Sequence, residues 1–437
     1  MKSTVRRIIA RMFEYQVKRL VARHSLKVVA VGGSVGKTST RQAIATVLQA
    51  KYHSPVVKNP GYNSELGLPL SVFSMTVPGQ LFNLFAWADR LFKSEIMIHS
   101  TFRYQILVLE LGTDHPGEIP RYLRYLSPDI GVLTALTPEH MANFPGGMDE
   151  LAAEELALAA ASKVFVANND EIPAKYRHKY IDHHPAHHYY GLGKDNDYGF
   201  VMDTTDPIHG TTGNLTRNQH QIIKQLNLHL FGAHSAKAAA AAFAVADILG
   251  LSKEEITLGL GKLRPVAGRM NSLPGKSGSV IIDDTYNSSP EAVIAGIAAL
   301  AAAPVIGRRI AILGSMNELG PDSPRYHQEV GAAAAGVDLL ITIGKDANQH
   351  LGPAAVASGL DPTRFKPADS PYAAGRFVAA LLMEGDVVLV KGSQNRVFAE
   401  EAVKLLLKNP ADVHQLVRQS ATWLNTKAAQ FPDGAMW

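Results

Sequence analysis

The sequence predicts an α/β protein made of two successive domains, each built on a mainly parallel sheet covered by helices. Two observations predict it. From Leu26 onward, short apolar runs alternate with longer helical patterns, as parallel strands joined by crossover helices require. A glycine-rich turn ending in Lys37 and Thr38 stands between the first of those runs and a helical pattern over Ser39 to Leu48. The first series of strands is Val28 to Val31, Ile106 to Leu109 and Ile130 to Leu136. The stretch from Ile172 to Gln221 is polar and rich in histidine and glycine, which fits loops or a small antiparallel patch. An alanine-rich helix over Ser235 to Leu249 follows, and Gly261 to Gly268, with Pro265, reads as a connection. A second series then begins: Val280 to Ile282, Ile310 to Leu313, Leu339 to Ile343 and Val387 to Val390. The expected divisions are residues 1–26, 27–265 and 266–437.

Bulk properties agree with two folded domains. At 437 residues the chain exceeds what one hydrophobic core comfortably serves. Its 46% hydrophobic and 19% charged residues are those of a globular protein, so folding is expected throughout. The absence of cysteine excludes disulfides, thiolate metal sites and cysteine nucleophiles. A net charge of +4 and a pI near 9.0 come partly from the basic start, and no continuous basic stripe argues for nucleic acid. No apolar run approaches the ~20 residues needed to cross a bilayer, and the N-terminus lacks the apolar core and cleavage site of a signal peptide. The cytoplasm is the expected address, with small-molecule substrates and no obligate protein partner.

Ser3 to His24 reads as a basic amphipathic helix, with Val5, Ile8, Ile9, Met12, Leu20 and Val21 near one stripe. Arg6, Arg7, Arg11, Lys18, Arg19 and Arg23 lie mostly elsewhere. A second apolar stretch, Leu81 to Ile98, carries Phe82, Leu84, Phe85, Trp87, Leu91 and Phe92. The two either pack on each other within the fold or make a weak contact with a membrane surface.

The chemistry-bearing residues gather at strand ends. In Gly33-Ser34-Val35-Gly36-Lys37-Thr38, glycines let backbone N–H groups approach phosphate oxygens, the helix start adds a favourable field, Lys37 neutralises charge and the Thr38 hydroxyl suits magnesium. The strict Walker pattern wants glycine at Val31, so only the shorter form is met. The Ile106 run ends in Glu110, the Ile130 strand runs out toward His140, and Val280 to Ile282 leads into Asp283, Asp284, Thr285, Tyr286 and Asn287. Ligands of open parallel sheets bind beyond such carboxyl ends. Glu110 beside a P-loop is a magnesium candidate, while His140 alone reads as a helix-start histidine.

From about Lys27 onward the chain resembles the Mur ligases, which build the peptide stem of bacterial cell-wall precursors. The matching segments are G-G-S-V-G-K-T-S-T at Gly32 to Thr40, N-S-E-L-G-L-P-L at Asn63 to Leu70, E-L-G at Glu110 to Gly112 and P-E-H at Pro138 to His140. G-A-H at Gly232 to His234, G-R-M at Gly268 to Met270, D-D-T-Y-N-S-S-P at Asp283 to Pro290, L-G-S-M-N-E-L-G at Leu313 to Gly320 and V-K-G-S at Val390 to Ser393 continue the series. The D-D-T-Y-N and L-G-x-M-x-E-L-G pieces are most similar to the D-alanyl-D-alanine-adding branch.

The resemblance implies a P-loop-type central domain with a mainly parallel sheet and a C-terminal Rossmann-like domain. It implies an ATP-dependent carboxylate–amine ligase acting through an acyl phosphate, in peptidoglycan synthesis and hence in cell-wall biogenesis, cell shape and division. Gly33, Ser34, Val35, Gly36, Lys37, Thr38 and Ser39 would hold ATP, with Arg269, Asp284 and Asn287 from the second domain. Thr38, Glu110 and His140 would surround Mg2+, so that Lys37, Glu110, His140 and Glu155 form the catalytic set. Asn63, Ser64 and Glu65 would face the acceptor. Lys391 is either a further site residue or a surface lysine. Alternative readings are a ligase of the same superfamily extending a poly-amino-acid or folate-like tail, and a catalytically silent nucleotide-binding partner.

Three departures stand against the family pattern. Glu155 occupies the position of a lysine that is carbamoylated in most relatives; it either supports a second magnesium or is a solvated helix-face glutamate. Ala238 stands where relatives usually carry asparagine near ATP. About thirty residues precede the P-loop, where the adding enzyme begins with a separate uridine-nucleotide domain, so that domain is expected to be missing. His183, His184, His187 and His188 read as solvated loop residues, since they sit in a polar loop without an accompanying carboxylate array.

Overall fold

The computed structural model describes residues 3–52, 65–80, 82–102 and 104–432. The chain divides into two compact units: Met1–Asp203 with Gly213–Leu226 and His234–Leu263, and Thr204–Thr212 with Asn227–Ala233 and Arg264–Trp437. Along the first half run α1 (Ser3–His24), β1 (Lys27–Gly32), α2 (Lys37–Leu48), α3 (Gly67–Val72), α4 (Leu84–His99), β2 (Ile106–Glu110) and α5 (Glu118–Leu123). There follow β3 (Ile130–Leu133), α6 (Gly147–Ala161), β4 (Val164–Asn168), α7 (Ala174–Tyr180), β5 (His187–Leu192), β6 (Tyr198–Asp206), β7 (Gly210–Arg217), β8 (His220–Leu228), α8 (Ala233–Ile248) and α9 (Lys253–Gly261).

These strands form one sheet in the order β2-β1-β3-β4-β5-β6-β7-β8, parallel from β2 through β6. Val28, Val29, Ala30 and Val31 are all fully buried, as a central strand covered on both faces demands. The register sets Val31 beside Glu110 and Gly32 beside Leu133. Three carboxyl ends therefore open at the same edge, the place where such sheets bind ligands.

Two expectations change here. Of the two readings of the polar stretch from Ile172 to Gln221, loops or a small antiparallel patch, the loop reading falls: the stretch supplies β5, β6, β7 and the start of β8. Buried Tyr190, Tyr198, Phe200 and Leu215 give it a core face that its histidines and glycines mask in the sequence. His187 and His188 accordingly sit in β5 opposite Phe165 and Val166. The first helix also buries a different stripe, Ile9, Ala10, Phe13, Val17 and Leu20, leaving Val5, Ile8 and Met12 exposed. It packs along α4, with the Phe13 and Trp87 rings 6.2 Å apart.

The second unit continues with β9 (Asn271–Pro274), β10 (Val280–Asp284), α10 (Pro290–Ala302), β11 (Arg309–Gly314), α11 (Ser323–Ala333), β12 (Leu339–Ile343), α12 (Gly352–Ala357) and β13 (Phe365–Ala368). It closes with α13 (Pro371–Leu381), β14 (Val387–Lys391), α14 (Glu400–Leu406) and α15 (Ala421–Gln430). Its sheet runs β13-β12-β11-β14-β10-β9, parallel except for β9 at the edge. One apolar cluster packs on each face of this sheet, as in a doubly wound fold. Helix α15 is tied down by Lys427, 1% exposed, whose ammonium lies 2.8 Å from Glu400 and 2.6 Å from Glu401.

Removing one member of a buried ion pair leaves its partner desolvated and unmatched. Lys427→Met is therefore expected to cost roughly 3 kcal/mol and to lower a calorimetric transition by on the order of 6 to 12 °C. An unchanged transition would show that α15 is not held by this pair.

Candidate functional site

Strand β1 ends at Gly32, and four residues turn the chain into α2. Gly33 (φ 116°) and Gly36 (φ 89°) take left-handed conformations that favour glycine. A Cβ on Gly33 would fall 2.5 Å from Thr134 Oγ1 and 2.9 Å from Ala135 N, so the turn approaches the exit of β3 as closely as backbone allows. It is fastened there. Ser34 N–H donates to Ala135 O at 3.0 Å, and the Thr134 hydroxyl donates to Val35 O at 2.6 Å. The Ser34 hydroxyl donates to Thr137 O and accepts from Thr137 N–H, both at 2.9 Å. Helix α2 starts without a side-chain cap and with no acidic residue in its first turn. Its N–H groups and positive end suit an anion.

Lys37 opens that helix. Its ammonium donates to Gly33 O, and to Ser34 O at 2.8 Å, and lies 3.5 Å from Glu139 Oε2. Burial alone would lower its pKa, but Glu139, Glu155 and Glu110 outweigh burial and hold it above the ordinary lysine value. Lys37 is thus a fixed positive charge.

Glu155, on α6, is 2% exposed and accepts the Gly33 N–H at 2.8 Å. Burial pushes its carboxyl up to about 7, against the opposing pulls of Lys37 and the Gly33 hydrogen bond. The reading of a solvated helix-face glutamate is therefore overturned: α6 directs this side chain inward, where it braces the glycine turn.

Glu110 ends β2 and is held by two neighbours on α2. The Thr38 hydroxyl donates to Glu110 Oε1 at 3.0 Å, and Arg41 Nε donates to Oε2 at 3.3 Å. His140 (φ 52°) places Nε2 3.2 Å from Asp114 Oδ1 and 3.7 Å from Glu139 Oε1. Glu139 thus stands between Lys37 and His140. Among the described residues no group of three or more His, Asp or Glu side chains is set to hold a metal. Magnesium needs no such cage, since it usually takes one or two carboxylates plus phosphate and water oxygens. The neighbouring Thr38 and Glu110 oxygens fit that requirement.

Sequence reasoning passed over Glu139, Arg41 and Asp114. Glu139 lay inside the quoted P-E-H segment, and Arg41 falls one helical turn after Lys37, so both had a positional signal. Asp114 had none.

Two family models match the chain: "Mur ligase middle domain" over residues 31–246 and "Mur ligase, glutamate ligase domain" over residues 268–394. A relative from Mycobacterium tuberculosis named UDP-N-acetylmuramoyl-tripeptide--D-alanyl-D-alanine ligase is 30% identical over 392 residues, covering 84% of this chain and 70% of its own. The chain belongs to the Mur ligase family. The Bacillus subtilis ligase of the same name is 28% identical over 400 residues, covering 88% of this chain and 76% of its own. Among solved structures, the Mur ligase MurF of Acinetobacter baumannii has a TM-score of 0.71 at 23% identity, over 93% of this chain and 80% of that one. MurF of Thermotoga maritima in complex with ADP has a TM-score of 0.70 at 23% identity, over 91% and 83%. These structural likenesses carry the fold.

In the second unit of this Mur ligase, four of the sequence candidates come together at the ends of β10 and β14. Gly268 (φ 68°) accepts the Tyr286 N–H at 2.9 Å, and the Arg269 guanidinium lies 4.2 Å from the Tyr286 ring centroid. Asp284 accepts the Met270 N–H at 3.2 Å and pairs with Lys391 at 2.7 Å, while Lys391 donates to Asn287 O at 2.9 Å. Lys391 is 3% exposed, which overturns the surface-lysine reading. In the first unit, Glu65 lies 3.2 Å from Arg6 and 2.7 Å from Arg121. Asn63 and Ser64 fall outside the described residues. Ala238 is buried in α8. Of the four clustered histidines only His183 is exposed; His184, His187 and His188 are half-buried.

Glu155 generates a pH prediction. Its folded pKa of about 7 lies above the ordinary 4.5, so between those values the folded state keeps a proton that the unfolded state releases. Stability is complete at low pH, falls as pH rises through that window, and levels off above 7. Glu155→Gln removes this dependence. Relative to wild type, the variant should gain on the order of 3 kcal/mol between pH 4.5 and 7.5, read by calorimetry across that range. Parallel pH profiles for the two proteins would contradict a buried, uncharged Glu155.

Proposed function

We propose that the chain is an ATP-dependent ligase that joins D-alanyl-D-alanine, through its amine, to a carboxylate of a cell-wall peptide precursor. The observation that carries this reading is the charge-compensated phosphate turn, Lys37 set among Glu110, Glu139 and Glu155. The named D-alanyl-D-alanine ligases to which the chain is similar over most of its length supply the substrate class.

The mechanism follows from charge. An acceptor carboxylate approaching the γ-phosphate meets another anion, and the Lys37 ammonium with the α2 N-terminus lowers that repulsion. A carboxylate oxygen forms the new bond to phosphorus while ADP leaves with the bridging oxygen, giving an acyl phosphate. The amine of D-alanyl-D-alanine then adds to the acyl carbon, inorganic phosphate departs, and the nitrogen loses a proton. No protein nucleophile is needed. Magnesium, when bound, supplies Lewis-acid neutralisation of the phosphate oxygens. Thr38 and Glu110 are the residues proposed to hold it, and His140 is proposed to orient this edge through Asp114 and Glu139. Gly33, Ser34, Val35, Gly36 and Ser39 are assigned to the phosphates. Arg269, Asp284 and Asn287 are assigned a nucleotide role in the second unit. Asn63, Ser64 and Glu65 keep the acceptor assignment, with Glu65 positioned by Arg6 and Arg121. Reaction in the cytoplasm is part of the proposal; among the described residues no helix is long and apolar enough to cross a membrane.

The deciding experiment supplies purified protein with ATP, magnesium, D-alanyl-D-alanine and uridine-linked or lipid-linked muramoyl tripeptide. ADP release should require both the dipeptide and a tripeptide, and Lys37→Met should reduce it at least about a hundredfold. Release indifferent to the dipeptide would instead favour a ligase of another acceptor class, and no turnover with any acceptor a silent nucleotide binder. A second variant addresses the metal. Glu110→Gln should raise the magnesium concentration for half-maximal rate by roughly tenfold with little change in KM for the dipeptide. An unchanged magnesium requirement would remove Glu110 from the metal site.

A further inference from the structure

Helices α1 and α4 leave an apolar surface that the ligase chemistry does not use. On α1, Val5, Ile8, Met12 and Tyr15 recur at helical spacing along one face and are 38%, 55%, 46% and 64% exposed. On α4, Phe85, Phe92 and Ile96 do the same, at 89%, 68% and 51%. Phe82, just before α4, and Leu84, its first residue, are 76% and 67% exposed.

The two stripes border one seam. Contacts advance together along both helices, from Phe13 with Trp87, through Arg19 with Glu95, to His24 with Ile98 O, so the helices run in the same direction. Arg19 grips Glu95 with two hydrogen bonds, of 2.6 and 2.7 Å, and Gln16 donates to the same carboxylate at 2.9 Å. Tyr15 adjoins this seam on α1, its ring centroid 5.7 Å from the Arg19 guanidinium. Ile96 follows Glu95 directly on α4, and Phe92 lies one turn before Ile96. The clamp thus consumes the acidic group that would otherwise sit between the apolar stripes.

The unpaired charges around the face are basic; the exposed acid on α4, Asp89, lies between Phe85 and Phe92 and is paired with Lys93 at 2.8 Å. Residues 3–24 hold six basic side chains, Arg6, Arg7, Arg11, Lys18, Arg19 and Arg23, against the single acid Glu14. Arg6 pairs with Glu65, Arg19 with Glu95, and Glu14 with Arg121. Arg7, Arg11, Lys18 and Arg23 are exposed and have no acidic partner among the described residues. Exposed aromatic and aliphatic side chains beside unpaired cations are the arrangement of a helix pair lying in a lipid interface, apolar groups in the acyl boundary and cations at the headgroups. A symmetric contact with a second copy would instead bring two basic helices together.

We propose that the outer face of α1 and α4 docks the enzyme on an anionic membrane surface. The inference is independent of the reaction assignment, since none of these residues belongs to the phosphate turn.

The test is sedimentation of the full chain with vesicles of phosphatidylcholine alone and with about 30% phosphatidylglycerol, at low and high salt. Binding should require the anionic lipid, weaken at least about tenfold at high salt, and be lost in Phe85→Glu/Phe92→Glu. Arg7→Glu/Arg11→Glu, which alters no packed residue, should weaken binding at least about tenfold. Both variants should keep the wild-type melting temperature and nucleotide turnover in vesicle-free solution. Equal binding to neutral vesicles, or none to either, would overturn the proposal. So would a dimer that forms without lipid and is dispersed by Phe85→Glu/Phe92→Glu, since that would give the face to a second copy.

Discussion

The Lys37 ammonium is the charge around which the strand ends of the first unit are arranged. Glu110 comes from β2, Glu139 from the segment after β3, and Glu155 from α6, and all three act on it. Burial raises the cost of charge here, and with a smaller push from Glu139 it leaves Glu155 holding a proton up to about pH 7. The cation makes the remaining charge tolerable. An incoming polyphosphate would add negative charge to the same place, and a further cation near Glu110 would offset it. Among the described residues the arrangement is therefore a balance of charge around one cation rather than a preformed metal cage.

That balance depends on a backbone constraint. Gly33 has no room for a side chain beside Thr134 and Ala135, and its N–H is the donor that Glu155 accepts. The turn is consequently fixed from both sides, by the exit of β3 and by α6. Fixing it sets where α2 begins, and α2 presents Lys37, Thr38 and Arg41 at its first, second and fifth positions. Preorganised donors of this kind need no rearrangement when charge develops, which is the main source of electrostatic catalysis.

Much of this arrangement was legible in the sequence because its signals are local. The turn at Gly33 to Thr38 announces itself by residue type and by the strand and helix around it, and Glu110 by ending an apolar run. Arg269, Asp284 and Asn287 fell in quoted segments and do lie on one loop cluster. What the sequence hid is carried by distant pairs. In the sequence Glu155 is open between a metal-supporting and a solvated glutamate, because its neighbours do not tell which way it faces, and only the bond to Gly33, 122 residues away, reveals its burial. Lys391 looked ambiguous for the same reason, since Asp284 is its partner. The strands β5 to β8 were obscured because their buried aromatic residues are interleaved with histidine, glycine and threonine, a composition that mimics a loop.

The first helix shows how far such long-range pairing reaches. Taken alone, residues 1–26 look like an appendage to the domain that follows. In the structure Glu14 and Arg6 of α1 join Glu65 and Arg121, and Arg121 lies on α5. The start of α5 is held in turn by Glu154, which accepts the Gly117 and Ile119 N–H groups at 2.8 and 2.7 Å. The next residue, Glu155, braces Gly33. A continuous run of hydrogen bonds and ion pairs therefore leads from α1 through α5 and α6 to the phosphate turn, while the other side of α1 carries Ile8, Met12 and the unpaired cations. One helix thus serves two masters of opposite polarity: its inner face is part of the scaffold that fixes the turn, and its outer face is free to meet a surface without disturbing the bonds within.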